Sequence, residues 1–179
     1  MKTKELARIA LIAAVYAVVT LILAPISFNV VQIRVSEALT LLPFFMGYPA
    51  VIGLFVGVVV ANFFGGLGVV DIVFGSLITL VAAYFTSRSR SLYTAGIYPV
   101  VFNALGIGLM LYFLMDIRLI SLTAEEIMFL ARDISGFLEG FLNYLLHALS
   151  VGAGQFIAVY IIGIPLMKLL NKKVDLENF

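Results

Sequence analysis

Arg34 and Glu37 stand three residues apart in QIRVSEALTLLPFF, residues 32–45, a stretch whose other side chains are mostly apolar. An ionised side chain at bilayer depth costs roughly 3 kcal/mol on insertion scales unless it is paired or lines a polar cavity, so a guanidinium and a carboxylate in such a segment mark a functional site. A spacing of three puts both on one helical face. One outcome is an internal ion pair that anchors its helix. The other is a ligand site, in which Glu37, an acceptor-only group, suits a cationic, amidine-like or N–H-rich ligand edge and Arg34 orients it.

Other polar residues interrupt apolar runs in the same manner. Asp71 follows the glycines 65, 66 and 68 and either caps a helix or faces a ligand. Asn62, Asn103 and Gln155 lie inside apolar segments, where an amide bonds across helices or reads a ligand edge. His147 is the single histidine, with no second ligand at metal spacing, and reads as a satisfied or interfacial side chain. No metal or cofactor site is expected. Cysteine is absent, which excludes a disulfide framework and a thiolate nucleophile. Neither a Gly-rich phosphate loop ending in Lys-Ser/Thr nor a catalytic triad or carboxylate dyad stands out, so the chain reads as a non-enzyme that does not itself bind ATP at such a loop.

The elements that must position these residues are membrane helices. With 63% hydrophobic and 12% charged residues in 179, the chain carries about half the charge expected of a soluble domain. The net charge of +1 gives no reason to expect nucleic acid. Six apolar segments follow one another in a single membrane domain, residues 1–179. The first, 6–24, is long enough to span and reads as a retained helix despite its basic start. Ser36 reads as the N-cap of a short second helix, 37–46, which at about 15 Å cannot cross alone. Segments 48–64, 69–86, 92–115 and 143–170 follow. Gly53, Gly57 and Ala61 share a face of the third, suited to close helix approach. Residues 117–142 alternate charged and apolar side chains and read as an amphipathic, interfacial insertion. On the first helix Ala10, Ala13, Ala14 and Ala17 form overlapping small-xxx-small pairs, for packing within the chain or for docking another membrane protein.

Lys and Arg counts set the expected orientation. Six passes gather Lys2, Lys4, Arg8, Arg88, Arg90, Lys168, Lys172 and Lys173 on one side, against Arg34, Arg118 and Arg132 on the other. Both termini are therefore expected in the cytoplasm of a multi-pass cell-membrane protein, with the insertion outside. Arg34, Glu37, Asn62 and Asp71 then gather near the outer face.

The runs APISFNVVQIRVSEALTLLPFF, GLFVGVVVANFFGGLGVVDIVFGSLITLVAA, VVFNALGIG and VGAGQFIAVYIIGIPL resemble the QueT family, the substrate-binding S-components of energy-coupling factor (ECF) transporters. The resemblance implies an all-α, six-helix S-component bundle and uptake of a 7-deazaguanine precursor of queuosine. It implies as partners a shared transmembrane coupling subunit and two ATPases, and Ala10 and Ala14 are the expected docking face. It also implies Glu at the position where this chain has Gln155. Substrate-binding residues are then Arg34, Glu37, Asn62, Asp71, Asn103 and Gln155, with Phe28, Phe63, Tyr98 or Phe102 stacking on the ligand ring. A proton-coupled secondary transporter using Asp71 or His147, and a structural membrane subunit, are the alternative readings.

Overall fold

The computed structural model of the chain describes residues 3–27, 33–114 and 132–176, with side chains described from 137 in the last part. Seven helices make up the described residues. They are α1 (Thr3–Ile22), α2 (Ala24–Ser27), α3 (Val35–Met46), α4 (Tyr48–Gly65), α5 (Asp71–Ser87), α6 (Leu92–Leu114) and α7, which runs without a break through Arg132–Phe156, Ile157–Gly163 and Ile164–Val174. Four are long and apolar enough to cross a membrane: α1, α4, α6 and the Phe137–Val174 part of α7. This is an all-helical integral membrane protein, and α3 and α5 are the shorter apolar helices between the long ones.

Helix directions follow from which residues meet. A Cβ placed on Gly53 would lie 2.9 Å from the Ile12 Cβ, and one on Gly57 would lie 3.0 Å from the Ala13 carbonyl oxygen. Four residues along α4 therefore match about four along α1, so the two helices run parallel, and side chains larger than hydrogen are excluded from the seam. The face predicted from Gly53, Gly57 and Ala61 is this interface. Between α1 and α4 the chain must return, and α3 does so as seven residues of tight 3-10 helix, Val35–Leu41, followed by five of α-helix, Leu42–Met46. The larger rise per residue of a 3-10 helix stretches this return to roughly 20 Å.

One feature corrects the sequence reading, and a second decides between two readings left open. Ser36 does not cap α3: Arg34 holds the N-cap position in extended backbone, and the Ser36 hydroxyl instead meets the Thr20 hydroxyl of α1 at 2.6 Å. Asp71 does not cap α5 either. Helical backbone begins at Val69, Asp71 is 2% exposed, and it opens a wide, π-helical turn, Asp71–Gly75. A buried carboxylate in the barrel of a helix cannot serve the orphan N–H groups at its end.

The other helices pack as antiparallel neighbours. Pro99 lies inside α6, where its missing N–H leaves the Ala95 carbonyl without its helical donor, and the Thr86 hydroxyl of α5 donates to that oxygen at 3.2 Å. A sequence feature that would weaken α6 is thus stitched to α5. Residues 132–142, expected in the insertion, are helical turns continuous with α7. Residues 115–131, the rest of that insertion, lie outside the described residues. Arg8 and Leu11 of α1 line the same groove as Leu170 and Val174 of α7, so the two chain ends lie on one side of the bundle.

The apolar core occupies the half nearer those ends, joining Ile12 and Tyr16 to Leu41, Leu54, Val58, Val159 and Met167. A second, smaller cluster of Met110, Leu111 and Val151, with Val70 and Ile107 packed on it, lies toward the opposite side. The polar residues sit between the two.

Candidate functional site

Arg34, Glu37, Asp71, Asn103 and Gln155 line one cavity, together with Gly75, Thr79, Ile107 and Val151. Its walls come from the start of α3, the first turns of α5, and the middles of α6 and α7. Five of the six polar residues expected to bind substrate are therefore brought to one point from positions 121 residues apart in sequence at the extremes. The sixth, Asn62 near the end of α4, sits behind the cavity, where its amide donates to the backbone carbonyl of Asp71 at 2.9 Å. It positions α5 rather than lining the site.

Glu37 is 1% exposed and its carboxylate is surrounded by donors of this chain. Tyr16 of α1 donates its hydroxyl to Oε1 at 2.5 Å, Asn103 donates Nδ2 to Oε2 at 3.3 Å, and Gln155 adds a further side-chain hydrogen bond. Arg34 acts electrostatically on Glu37, Asp71 and Tyr16 and hydrogen bonds to Tyr16, so the guanidinium and the carboxylate are joined through the phenol. A carboxylate that accepts several bonds in a low-dielectric interior is held firmly in place.

The remaining polar atoms are not matched in this way. Asp71 Oδ2, Asn62 Oδ1, Asn103 Oδ1 and Gln155 Oε1 are buried and have no hydrogen-bond partner among the described residues. For Asn103 and Gln155 the amide orientation follows from chemistry: Glu37 can only accept, so each must turn its NH2 toward it and its oxygen away. All four orphaned atoms are acceptors. Those of Asp71, Asn103 and Gln155 belong to residues that line the cavity; each costs about 1–3 kcal/mol while unpaired, so a ligand that brings N–H groups to them recovers that cost on binding.

One sequence expectation, an aromatic ring stacked on the ligand, is overturned, and the reading of His147 as a satisfied side chain agrees with its burial. No aromatic ring among the described residues lines the cavity. Phe63 is 66% exposed and packs edge-on against Phe64, while Tyr98 and Phe102 stack on Phe85 with ring centroids 5.6 and 5.5 Å apart. The reason is helical rotation: adjacent residues point about 100° apart, so an inward Asn62 or Asn103 turns Phe63 or Phe102 away. Phe28 lies outside the described residues. His147 is buried and engaged with its surroundings but does not line the cavity.

The residue that sequence reasoning missed is Tyr16. Its signal was present: Tyr16 and Thr20, at four-residue spacing, are the polar side chains on an otherwise apolar stripe of α1, and Thr20 donates to the Tyr16 carbonyl at 2.8 Å. Thr79, one turn after Gly75, also lines the cavity and was not singled out.

The cavity measures about 20 Å³, enough for about one water molecule. A bicyclic heterocycle can enter only if the walls separate. Ile107 and Val151, which line the cavity, also belong to the small apolar cluster with Val70, Met110 and Leu111. That cluster closes the cavity on the side away from the chain ends.

No curated protein and no solved structure matches the chain. The model of one family, described as the QueT transporter, matches residues 6–172, nearly the whole length and every residue of the site. The chain belongs to the QueT transporter family.

Proposed function

We propose that this chain is the substrate-capture subunit of an ECF-type uptake transporter, binding a 7-deazaguanine precursor of queuosine from the extracellular side. The observation that carries the reading is the convergence of Arg34, Glu37, Asp71, Asn103 and Gln155 on one buried cavity, into which Asp71, Asn103 and Gln155 each bring an acceptor oxygen with no hydrogen-bond partner among the described residues. A guanine-type edge offers adjacent N–H donors beside a carbonyl, which suits such a lining, and Arg34 supplies the donor for the carbonyl. Ile107 and Val151 offer apolar contact to the ring faces in place of aromatic stacking.

Delivery then needs a partner, because the sequence offers no nucleotide-binding loop. In this reading a shared transmembrane subunit with two ATPases docks on α1. Ala10 and Ala14 are exposed on that helix, whereas Ala13 is buried against α4 and Ala17 is buried too. The two overlapping alanine pairs thus divide between an inner and an outer face. Both termini are assigned to the cytoplasm, which puts the docking end of α1 and the ATPases on one side and the polar cavity toward the other.

Uptake of a labelled 7-deazaguanine into cells expressing this chain, with and without the coupling module, tests the reading. Accumulation only with the module supports it. Accumulation without the module, driven by a proton gradient, would replace it with a secondary transporter.

A further inference from the structure

The two carboxylates of the cavity differ in one respect that assigns them different tasks. Glu37 accepts from Tyr16, Asn103 and Gln155, whereas Asp71 Oδ2, equally buried, has no hydrogen-bond partner among the described residues. On the reading that the cavity binds a 7-deazaguanine, we propose that Asp71 is the specificity-determining residue, the counter-ion for a cationic substituent of the ligand, and that Glu37 is a positioning residue that aims the Asn103 and Gln155 amide oxygens at it.

Three observations support the assignment. First, the ionisable side chains that line the cavity are one guanidinium and two carboxylates, a formal charge of minus one. A buried uncompensated charge is costly, and a ligand carrying one positive charge neutralises it, while a neutral ligand leaves it standing. Second, the orphaned oxygens of Asn103 and Gln155 line the same cavity as Asp71. An alkylammonium has three N–H donors and no acceptor, which matches one carboxylate oxygen and two amide oxygens. A nitrile or a carboxylate in that place would set acceptor against acceptor.

Third, the fold reserves space for the Asp71 side chain. A Cβ on Gly75, one turn further along α5, would lie 2.8 Å from Asp71 Oδ1 and 3.0 Å from Asn62 Nδ2. Only glycine lets the carboxylate and the amide fold over the helix at that point. Asn62 in turn holds the Asp71 carbonyl at 2.9 Å. Neither Asn62 nor Gly75 need touch the ligand for this to work.

The test compares two ligands with the same guanine edge on the purified chain: 7-deazaguanine bearing a 7-aminomethyl group and the corresponding 7-carbonitrile. The wild type should bind the aminomethyl compound at least tenfold more tightly. Asp71→Asn should abolish that preference while retaining the weaker nitrile-type affinity, and Gly75→Ala should reduce the preference in the same direction by displacing the carboxylate. Glu37→Gln should weaken both ligands and narrow their ratio without abolishing it, because the amide oxygens lose their aim while the Asp71 carboxylate stays. The ligand comparison in the wild type stands even where a variant fails to fold. Equal binding of the two compounds, or a preference that survives in Asp71→Asn, would overturn the assignment of Asp71 alone. Failure of the folded wild type to bind either compound would overturn the 7-deazaguanine reading and this proposal with it.

Discussion

Tyr16 and Glu37 illustrate how a charge is kept inside an apolar bundle. The carboxylate lies at a point where α1, α3, α6 and α7 meet, and donors from three helices other than its own converge on it. Removing one donor leaves the others under strain: Tyr16→Phe should lower stability by about 1–3 kcal/mol, read as a fall in the thermal midpoint in detergent. Glu37→Gln turns an acceptor of three bonds into a group that also donates, which misdirects the Asn103 and Gln155 amides. Ligand affinity should then fall more than tenfold, about 1.4 kcal/mol, in a protein that still inserts and folds. Unchanged affinity in isothermal titration would make Glu37 purely structural. The polar residues were legible in the sequence because each interrupts an apolar run, and an intramembrane polar group needs a reason. Their division of labour was not legible, since whether Glu37 or Asp71 keeps an open oxygen depends on contacts between residues 21 and 66 positions apart.

At the scale of helices, the first half of the fold was legible from glycine spacing and the second half was not. Gly53 and Gly57 at four-residue spacing announced a close seam, and the α1–α4 interface is that seam. Gly57→Leu should therefore prevent stable assembly of the bundle, seen as loss of a monodisperse peak on size exclusion, because its side chain would start 3.0 Å from the Ala13 carbonyl. Ala10→Leu with Ala14→Leu should leave folding and ligand binding intact, since both residues are exposed, yet abolish uptake and co-purification with the coupling subunit. Loss of ligand binding along with uptake would mean that these alanines serve the bundle itself. The end effects on α3 and α5 escaped the sequence for a physical reason. Ser and Asp at an apparent helix start are the usual caps, but here tertiary demand overrode local preference: Ser36 is drawn to Thr20, and Asp71 is drawn inward toward Asn62 and the cavity. The reach of α7 upstream to residue 132 was hidden because charged residues in its first turns broke the apolar pattern by which the span was recognised.

For the molecule as a whole, the arrangement places a tight apolar core toward the chain ends, a polar layer above it, and a thin apolar closure of Val70, Ile107, Met110, Leu111 and Val151 over that layer. The proposal that the chain ends face the cytoplasm rests on the positive-residue bias of eight to three, counted over the six passes expected from the sequence. Arg90→Cys and Val69→Cys, both at exposed positions in this cysteine-free chain, check the assignment with an impermeant thiol reagent on intact cells. Val69→Cys should label and Arg90→Cys should not, and the reverse would invert the topology. The most direct test of the central claim is saturation binding of a 7-deazaguanine to the purified, monodisperse chain by isothermal titration, without the coupling subunit or ATPases. Saturable binding of one ligand per chain is expected, weakened at least tenfold by Asn103→Ala. A folded chain that gives only heat of dilution across the deazaguanine series would contradict it.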